Sequence, residues 1–260
     1  MTIAFARLAA VVRCAVVCAV ICAPFAGTAW SSDLRPAAAA ALTSQVVNST
    51  VRVKVETDAG NSLVVGYGSA FGVDLSAYGV DRHRYLLSAA HLVLSDDGSR
   101  LLNGKVKVEL PHDNKKVWVR CRVLSVTRVY DLCLLECDED VPVVSKLTPG
   151  KSGLGVGSQI FVVGCPLGVQ PQVSSGVLTD KDPMVSDRGH KVWEAAAAFN
   201  HGNSGGPVFC SDCNTVIGVA VAGVRAGGGG PLDMDPRIAL FTPYYCVKHF
   251  LDVSIAKMAQ

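Results

Sequence analysis

The residues best suited to chemistry lie in the run Phe199-Asn200-His201-Gly202-Asn203-Ser204-Gly205-Gly206-Pro207-Val208-Phe209. A serine set among glycines is poorly placed for packing. Glycine has no Cβ, so the backbone can turn sharply and lie close to a ligand. Such a turn projects the Ser204 hydroxyl outward and aims nearby backbone N–H groups at one point. An oxyanion hole drawn from Gly202, Asn203 and Ser204, with the N–H groups of Gly202 and Ser204 as donors, would stabilise the negative oxygen formed when serine attacks a carbonyl. Serine is a weak nucleophile by itself, so this chemistry also needs a histidine base and a carboxylate to orient it.

The histidines available are His83, His91, His112, His190, His201 and His249. His91 ends Tyr85-Leu86-Leu87-Ser88-Ala89-Ala90-His91, an apolar strand running into small residues that leave room beside an imidazole. The others sit in polar or turn-like surroundings, and His201, three positions before the serine on a sharp turn, need not face it. For the carboxylate, Asp131 leads into the apolar Leu132-Cys133-Leu134-Leu135. A half-buried aspartate requires a hydrogen-bonded partner, and an imidazole N–H supplies one while gaining a fixed tautomer. Capping of a turn after Arg128-Val129-Tyr130 is the plainer alternative for this aspartate.

These groups must be carried by strands. In Ser49–Thr57, Val51, Val53 and Val55 alternate with Arg52, Lys54 and Glu56, the mark of a half-buried strand. Further strands are expected at Leu63–Val73, Arg84–Ser88, Lys105–Leu110, Val117–Val126 and Asp131–Cys137. A second set is expected at Gln159–Val163, Gln172–Thr179, Lys191–Ala195, Pro207–Phe209, Thr215–Val224 and Ile238–Phe241. Turn-rich breaks such as Asp96-Asp97-Gly98-Ser99 separate them. Asp138 to Gly157 reads as the connection between the sets, and Tyr244–Met258 as a docked amphipathic helix. The pattern is all-β: two antiparallel barrels of about six strands each, side by side, with a C-terminal helix. The expected division is a signal peptide at 1–29, a linker at 30–45, a first barrel at 46–145 and a second barrel with its helix at 146–260.

Composition agrees. The chain has 260 residues, half of them hydrophobic, enough for a substantial core, and a net charge of +2 gives no strong field toward nucleic acid or an anionic membrane. At the N-terminus, Arg7 and Arg13 precede the short apolar stretch Cys14 to Ala23 and the small residues Ala26-Gly27-Thr28-Ala29. That order reads as a secretory signal peptide, hence a secreted or periplasmic protein. An uncleaved membrane anchor is the alternative, and lipidation at Cys22 is disfavoured by bulky Ile21. Cys14, Cys18 and Cys22 would leave with the signal. Cys121, Cys133, Cys137, Cys165, Cys210, Cys213 and Cys246 remain, an odd set whose pairing spacing does not reveal. Cys210-Ser211-Asp212-Cys213 has no second CxxC, so a short disulfide or plain thiols are expected there rather than zinc. Gly227 to Gly230 precedes no helix that could make a phosphate cradle. No metal and no cofactor are expected.

Taken together, Ser88-Ala89-Ala90-His91, Asp131-Leu132-Cys133-Leu134-Leu135 and Gly202-Asn203-Ser204-Gly205-Gly206-Pro207 resemble chymotrypsin-fold serine proteases in kind and in order. Val163-Gly164-Cys165-Pro166-Leu167-Gly168, followed by Val173-Ser174-Ser175-Gly176-Val177-Leu178, resembles the HtrA/Deg branch, as does Asn203 where digestive relatives carry aspartate. The resemblance spans about Val46 to Leu251 and implies a double β-barrel with His91 as base, Asp131 as orienter and Ser204 as nucleophile. Two departures stand out. No room remains after the second barrel for the PDZ domain many relatives carry, and His201 replaces a residue often proline. Asn203 is uncharged and no Ile-Val-Gly-Gly start occurs, which closes the activation route of the digestive enzymes. Activity is expected to depend on the loops around Gly164 to Gly176 and Asp182 to Lys191.

The expected substrate pocket is formed by Ala198, Phe199, Ala220, Val221 and Ala222, none of them charged. A cationic substrate side chain would lack a counter-ion there, so cleavage after small or medium apolar residues of a polypeptide is expected, with Phe199 limiting depth. Two further readings compete with the peptidase: a catalytically silent chaperone or binding module on the same fold, and an esterase. The intact residue trio counts against the first. The strand Val219 to Gly223, able to pair with an extended peptide, counts against the second.

Overall fold

The computed structural model describes residues 43–258, apart from 59–62, 81, 96–97, 113–114, 145–153, 186–188, 190, 211–214 and 226–233. The expected signal peptide, most of the linker, Cys213 and the Gly227 to Gly230 loop lie outside the described residues, as does the junction expected between residues 145 and 146. A helical segment, α1 (43–49), leads into β1 (Thr50–Asp58), which pairs antiparallel with β2 (Leu63–Val73). β3 (Tyr85–Ala89), β4 (Gly104–His112), β5 (Lys115–Thr127) and β6 (Leu132–Cys137) follow. The strand order is β1-β4-β5-β6-β3-β2, and the β1–β2 pairing closes it into a six-stranded antiparallel barrel. Closure leaves no open sheet edge. The alternation in β1 is realised: Val51, Val53 and Val55 are buried with Val106, Val108 and Leu135, while Arg52, Lys54 and Glu56 point out.

β7 (Val143–Val144) adds to the rim, parallel to β2 at Gly72. The second barrel consists of β8 (Gln159–Gly164), β9 (Gln172–Val185), β10 (Lys191–Ala197), β11 (Pro207–Cys210), β12 (Thr215–Arg225) and β13 (Met234–Pro243). They close in the order β10-β13-β12-β11-β8-β9. Helix α2 (Tyr244–Met258) follows directly.

A further core cluster lies across the seam. It joins Leu87, Leu132 and Leu134 of the first barrel, Val163, Phe209 and Val219 of the second, and Val247, Phe250, Leu251 and Ile255 of α2. The helix therefore crosses back onto the first barrel. Ser254 donates to the Ser125 hydroxyl at 2.8 Å, and the Tyr78 hydroxyl donates to Asp252 at 2.8 Å. Burial, then that aspartate's charge, pushes the Tyr78 phenol well above its usual value.

Three details differ from the sequence expectation. α1 occupies part of the expected linker and runs to residue 49, where a strand was expected to start, because the Ser49 and Thr50 hydroxyls donate back to the Val46 carbonyl (3.0 and 2.7 Å). β7 lies inside the expected connection, a two-residue pairing too short to show a period. β9 continues to Val185, so part of the loop expected at Asp182 to Lys191 is strand.

Candidate active site

β3 delivers His91. The strand is buried throughout and passes into a tight turn at Ala90–Leu92. The Ala90 N–H donates to the Asp131 carbonyl at 3.1 Å, so the two chain segments are joined through their backbones first. Asp131 is not the first residue of a strand, as its sequence suggested. It closes the turn before β6 with φ 50°, a left-handed conformation that aspartate tolerates better than most residues. Its side chain is buried and doubly engaged by one residue. The His91 backbone N–H donates to Oδ1 at 2.8 Å, and the ring Nδ1 lies 2.7 Å from Oδ2. An ionised carboxylate only accepts, so Nδ1 carries the proton and Nε2 keeps its lone pair. From the second barrel, the Thr242 hydroxyl donates to the Tyr130 carbonyl at 2.6 Å, which steadies the neighbouring peptide.

The Ser204 loop is fastened to the first barrel by β2 and β3. The Ser69 N–H donates to the Ser204 carbonyl at 2.8 Å, and the Ser69 hydroxyl donates to the Gly202 carbonyl at 2.6 Å while accepting from the Cys165 N–H at 2.8 Å. Gly205 requires glycine twice over. Its φ is 88°, and a Cβ there would sit 2.1 Å from the Ser69 carbonyl and 2.4 Å from the Ser88 hydroxyl. That close approach brings the Ser204 loop against the strand that leads into His91. The Ser204 side chain is almost covered, and its hydroxyl donates to the Val221 carbonyl at 3.4 Å.

Among the described residues, neither the Gly202 nor the Ser204 N–H meets a protein acceptor. The Asn203 N–H, by contrast, donates to the Asn200 carbonyl at 3.1 Å, and the Gly205 N–H to Ala220 at 2.7 Å. The Asn203 backbone N–H is thus already paired, between two N–H groups that are not. The residue's Cα and side chain pack against Gly164, where a Cβ would meet them at 2.8 Å. Two N–H groups flanking one residue and lacking acceptors are what a developing oxyanion requires.

The expected pocket residues separate. Ala198 is exposed, whereas Phe199 and Ala220 belong to the core cluster of the second barrel and Val221 to a small cluster with Ala89, Val192 and Leu240. Phe199 is thus core packing rather than an open floor, because β10 and the following turn carry it inward. Ala222 pairs with Leu240 on β12–β13.

Cys121 and Cys137, facing each other across β5 and β6, form a disulfide. The thiols of Cys133 and Cys165 are free and buried. Burial first, then Asp131, drives Cys133 well above its usual value, and burial pushes Cys165 up to about 11. Neither offers a reactive thiolate. No group of three or more metal-binding side chains occurs among the described residues. Of the remaining histidines, His201 is exposed on its turn, and the His249 ring meets Tyr130 edge-on.

Sequence reasoning missed Ser69. The only signal was a serine between Gly68 and Ala70 inside a strand, a polar side chain with small neighbours where something must approach closely.

Comparison with known proteins places this geometry in context. A family model described as the trypsin-like peptidase domain matches residues 68–219. The chain is 30% identical over 156 residues to the putative protease Do-like 14 of Arabidopsis thaliana, covering 58% of this chain and 35% of that protein. It is 32% identical over 151 residues to a probable periplasmic serine endoprotease, DegP-like, of Chlamydia muridarum, covering 53% and 28%. The chain thus spans about a third of the length of these curated relatives. An HtrA-type protease solved with a tripeptide superposes with a TM-score of 0.62 at 19% identity, over 84% of this chain and 63% of that one, a likeness of fold.

Proposed function

The chain belongs to the trypsin-like peptidase domain family, with relatives of the HtrA/Deg type, and from that premise we propose that it is an exported serine endopeptidase. The observation that carries the reading is the His91–Asp131 pair, bonded through both carboxylate oxygens, beside the Gly202 and Ser204 N–H groups, which meet no acceptor among the described residues. In this reading Ser204 Oγ leaves the Val221 carbonyl, gives its proton to His91 Nε2 and attacks the substrate carbonyl carbon. The imidazolium is stabilised by Asp131, and the oxyanion by the N–H groups of Gly202 and Ser204. Collapse breaks the C–N bond as His91 returns the proton to the leaving amine. Water then repeats the sequence to release the acyl group.

The domain division at about residue 145 is part of the same proposal, supported by the two closed barrels. Cleavage after small or medium apolar residues belongs to the same proposal and is supported only by the lack of charge in the sequence around Ala198 and on β12 at Ala220 and Val221, where an unpaired buried cation would be costly. Export is supported by the charge, apolar run and small-residue order of the N-terminus and by the Chlamydia relative, whose name calls it periplasmic. No helix among the described residues is long and apolar enough to cross a membrane.

The direct experiment treats the purified protein with a fluorophosphonate probe beside Ser204→Ala and His91→Ala controls, then profiles cleavage of a peptide library. Labelling of the wild type alone is expected, with cuts after alanine, valine or similar residues. Equal absence of labelling in all three proteins would favour a binding module. Preferred cuts after lysine or arginine would overturn the specificity.

A further inference from the structure

The two acceptor-free donors are only as good as the orientation of their peptides. The Gly202 N–H belongs to the His201–Gly202 peptide, which is trans like every peptide described here. In a trans peptide the carbonyl and the N–H point in opposite directions within one plane, so fixing one fixes the other. The His201 carbonyl is fixed: the Leu167 N–H donates to it at 2.6 Å. A Cβ on Gly202 would sit 2.3 Å from the Cys165 carbonyl, so the turn at residues 165–168 is the template against which the donor peptide is set.

That turn carries two hydrogen bonds of its own, from the Gly168 N–H to the Cys165 carbonyl and from the Val169 N–H to the Pro166 carbonyl, both 3.0 Å, and it is further restrained from the first barrel. Leu167 adopts φ 53°, a left-handed conformation, and is 76% exposed, so burial does little to offset it. Such residues persist where their surroundings impose them. One restraint is the Ser69 hydroxyl on the Cys165 N–H. The other comes from the same barrel, where Arg52 on β1 donates through Nη1 to the Gly168 carbonyl. Arg52 is itself fixed on three sides. Its guanidinium lies 5.0 Å from the Trp118 ring centroid and 5.9 Å from that of Tyr67, and Nη2 donates to Glu109 at 2.6 Å.

The clamp extends along the same loop. Gln170 donates to the second Glu109 oxygen at 2.9 Å and accepts from Lys116. Burial alone would raise the Glu109 carboxyl, but the hydrogen bonds from Gln170 and Arg52 outweigh it and keep the group below its ordinary value. Only a planar guanidinium can stack on an aromatic ring while donating to a carbonyl and a carboxylate together.

We infer that Arg52 is a positioning residue for the oxyanion hole: it holds the Gly168 carbonyl, and through the Leu167 N–H sets the His201–Gly202 peptide so that the Gly202 N–H faces the reacting carbonyl. The inference rests on the peptidase reading above. It predicts a defect in the chemical step rather than in substrate binding, since the donor acts on charge that develops only in the transition state.

The test uses the full chain, with Arg52→Met and Arg52→Lys beside wild type and Ser204→Ala. Fluorophosphonate labelling rates, kcat and KM on a chromogenic peptide ester, and thermal melts are measured. Arg52→Met is expected to lower kcat and the labelling rate on the order of 10²-fold, with KM changed less than about threefold. Lysine, which restores the charge and one donor, should recover part of the loss. If Arg52→Met does not fold, Arg52→Lys carries the same test through its split between kcat and KM. A folded Arg52 variant with wild-type kcat, or one that loses only KM, overturns the clamp and leaves the peptidase reading intact. A wild type no more reactive than Ser204→Ala sinks both.

Discussion

Both carboxylate oxygens of Asp131 meet the same residue, His91, one its backbone N–H at 2.8 Å and the other its ring Nδ1 at 2.7 Å. The arrangement is directional. The backbone N–H can only donate, so whatever occupies the Oδ1 position must accept.

Asp131→Asn therefore has one comfortable orientation. Its amide oxygen must face the His91 N–H, which turns the amide NH2 toward Nδ1. A donor at that point forces the ring proton onto Nε2 and removes the base. We expect kcat to fall on the order of 10⁴-fold, by analogy with the tautomer effect of the same change in a Ser-His-Asp triad. The melting temperature should shift little, since shape and hydrogen-bond number are kept. Steady-state kinetics with a peptide ester and a thermal melt check this, and a loss below about tenfold would mean that the tautomer is set elsewhere.

Ser69→Ala removes a hydroxyl that satisfies two buried backbone groups, the Gly202 carbonyl and the Cys165 N–H. Leaving buried groups unsatisfied costs about 1–3 kcal/mol each, with water recovering part. We expect about 2 kcal/mol of lost stability in urea unfolding, together with a fall in kcat as both restrained loops loosen. Serine replaced by threonine keeps the hydroxyl and should lose less.

Glu56 on β1 sits between two ammonium groups, Lys107 at 2.8 Å and Lys54 at 2.8 Å. The hydrogen bond from Lys107, then that from Lys54, lowers its carboxyl from 4.5 to about 2. A depressed folded-state pKa stabilises above the unfolded value and loses that contribution as pH falls through the folded one. The melting-temperature gap between wild type and Glu56→Gln should therefore hold steady down to about pH 5 and close between about pH 4.5 and pH 2. A gap that persists at the acid end would show that packing, not charge, separates the two proteins.

The strands were legible because period-2 alternation and turn residues are local signals. Val51, Val53 and Val55 announce their common face, and α2 was bounded at Tyr244–Met258 by its helical spacing. His91 and Asp131 were legible for a related reason, as polar residues at the ends of apolar strands. What stayed hidden depends on register between distant segments. Cys121 and Cys137 pair because β5 and β6 set them opposite each other, a fact absent from their spacing. Arg52 alternates with Lys54 and Glu56 like an ordinary solvent-facing residue, yet its acceptor at Gly168 lies 116 positions away. Phe199, a turn residue near a glycine-flanked serine, reads from sequence as pocket wall, whereas β10 directs it into the core.

Helix α2 comes after β13 in the chain but completes the core against which β3 and β6 pack, the strands that bring in His91 and Asp131. During synthesis, then, every strand of both barrels can emerge while the apolar face under Val247, Phe250 and Leu251 is still open. The segments carrying His91 and Asp131 are made early, and the core beneath them closes last.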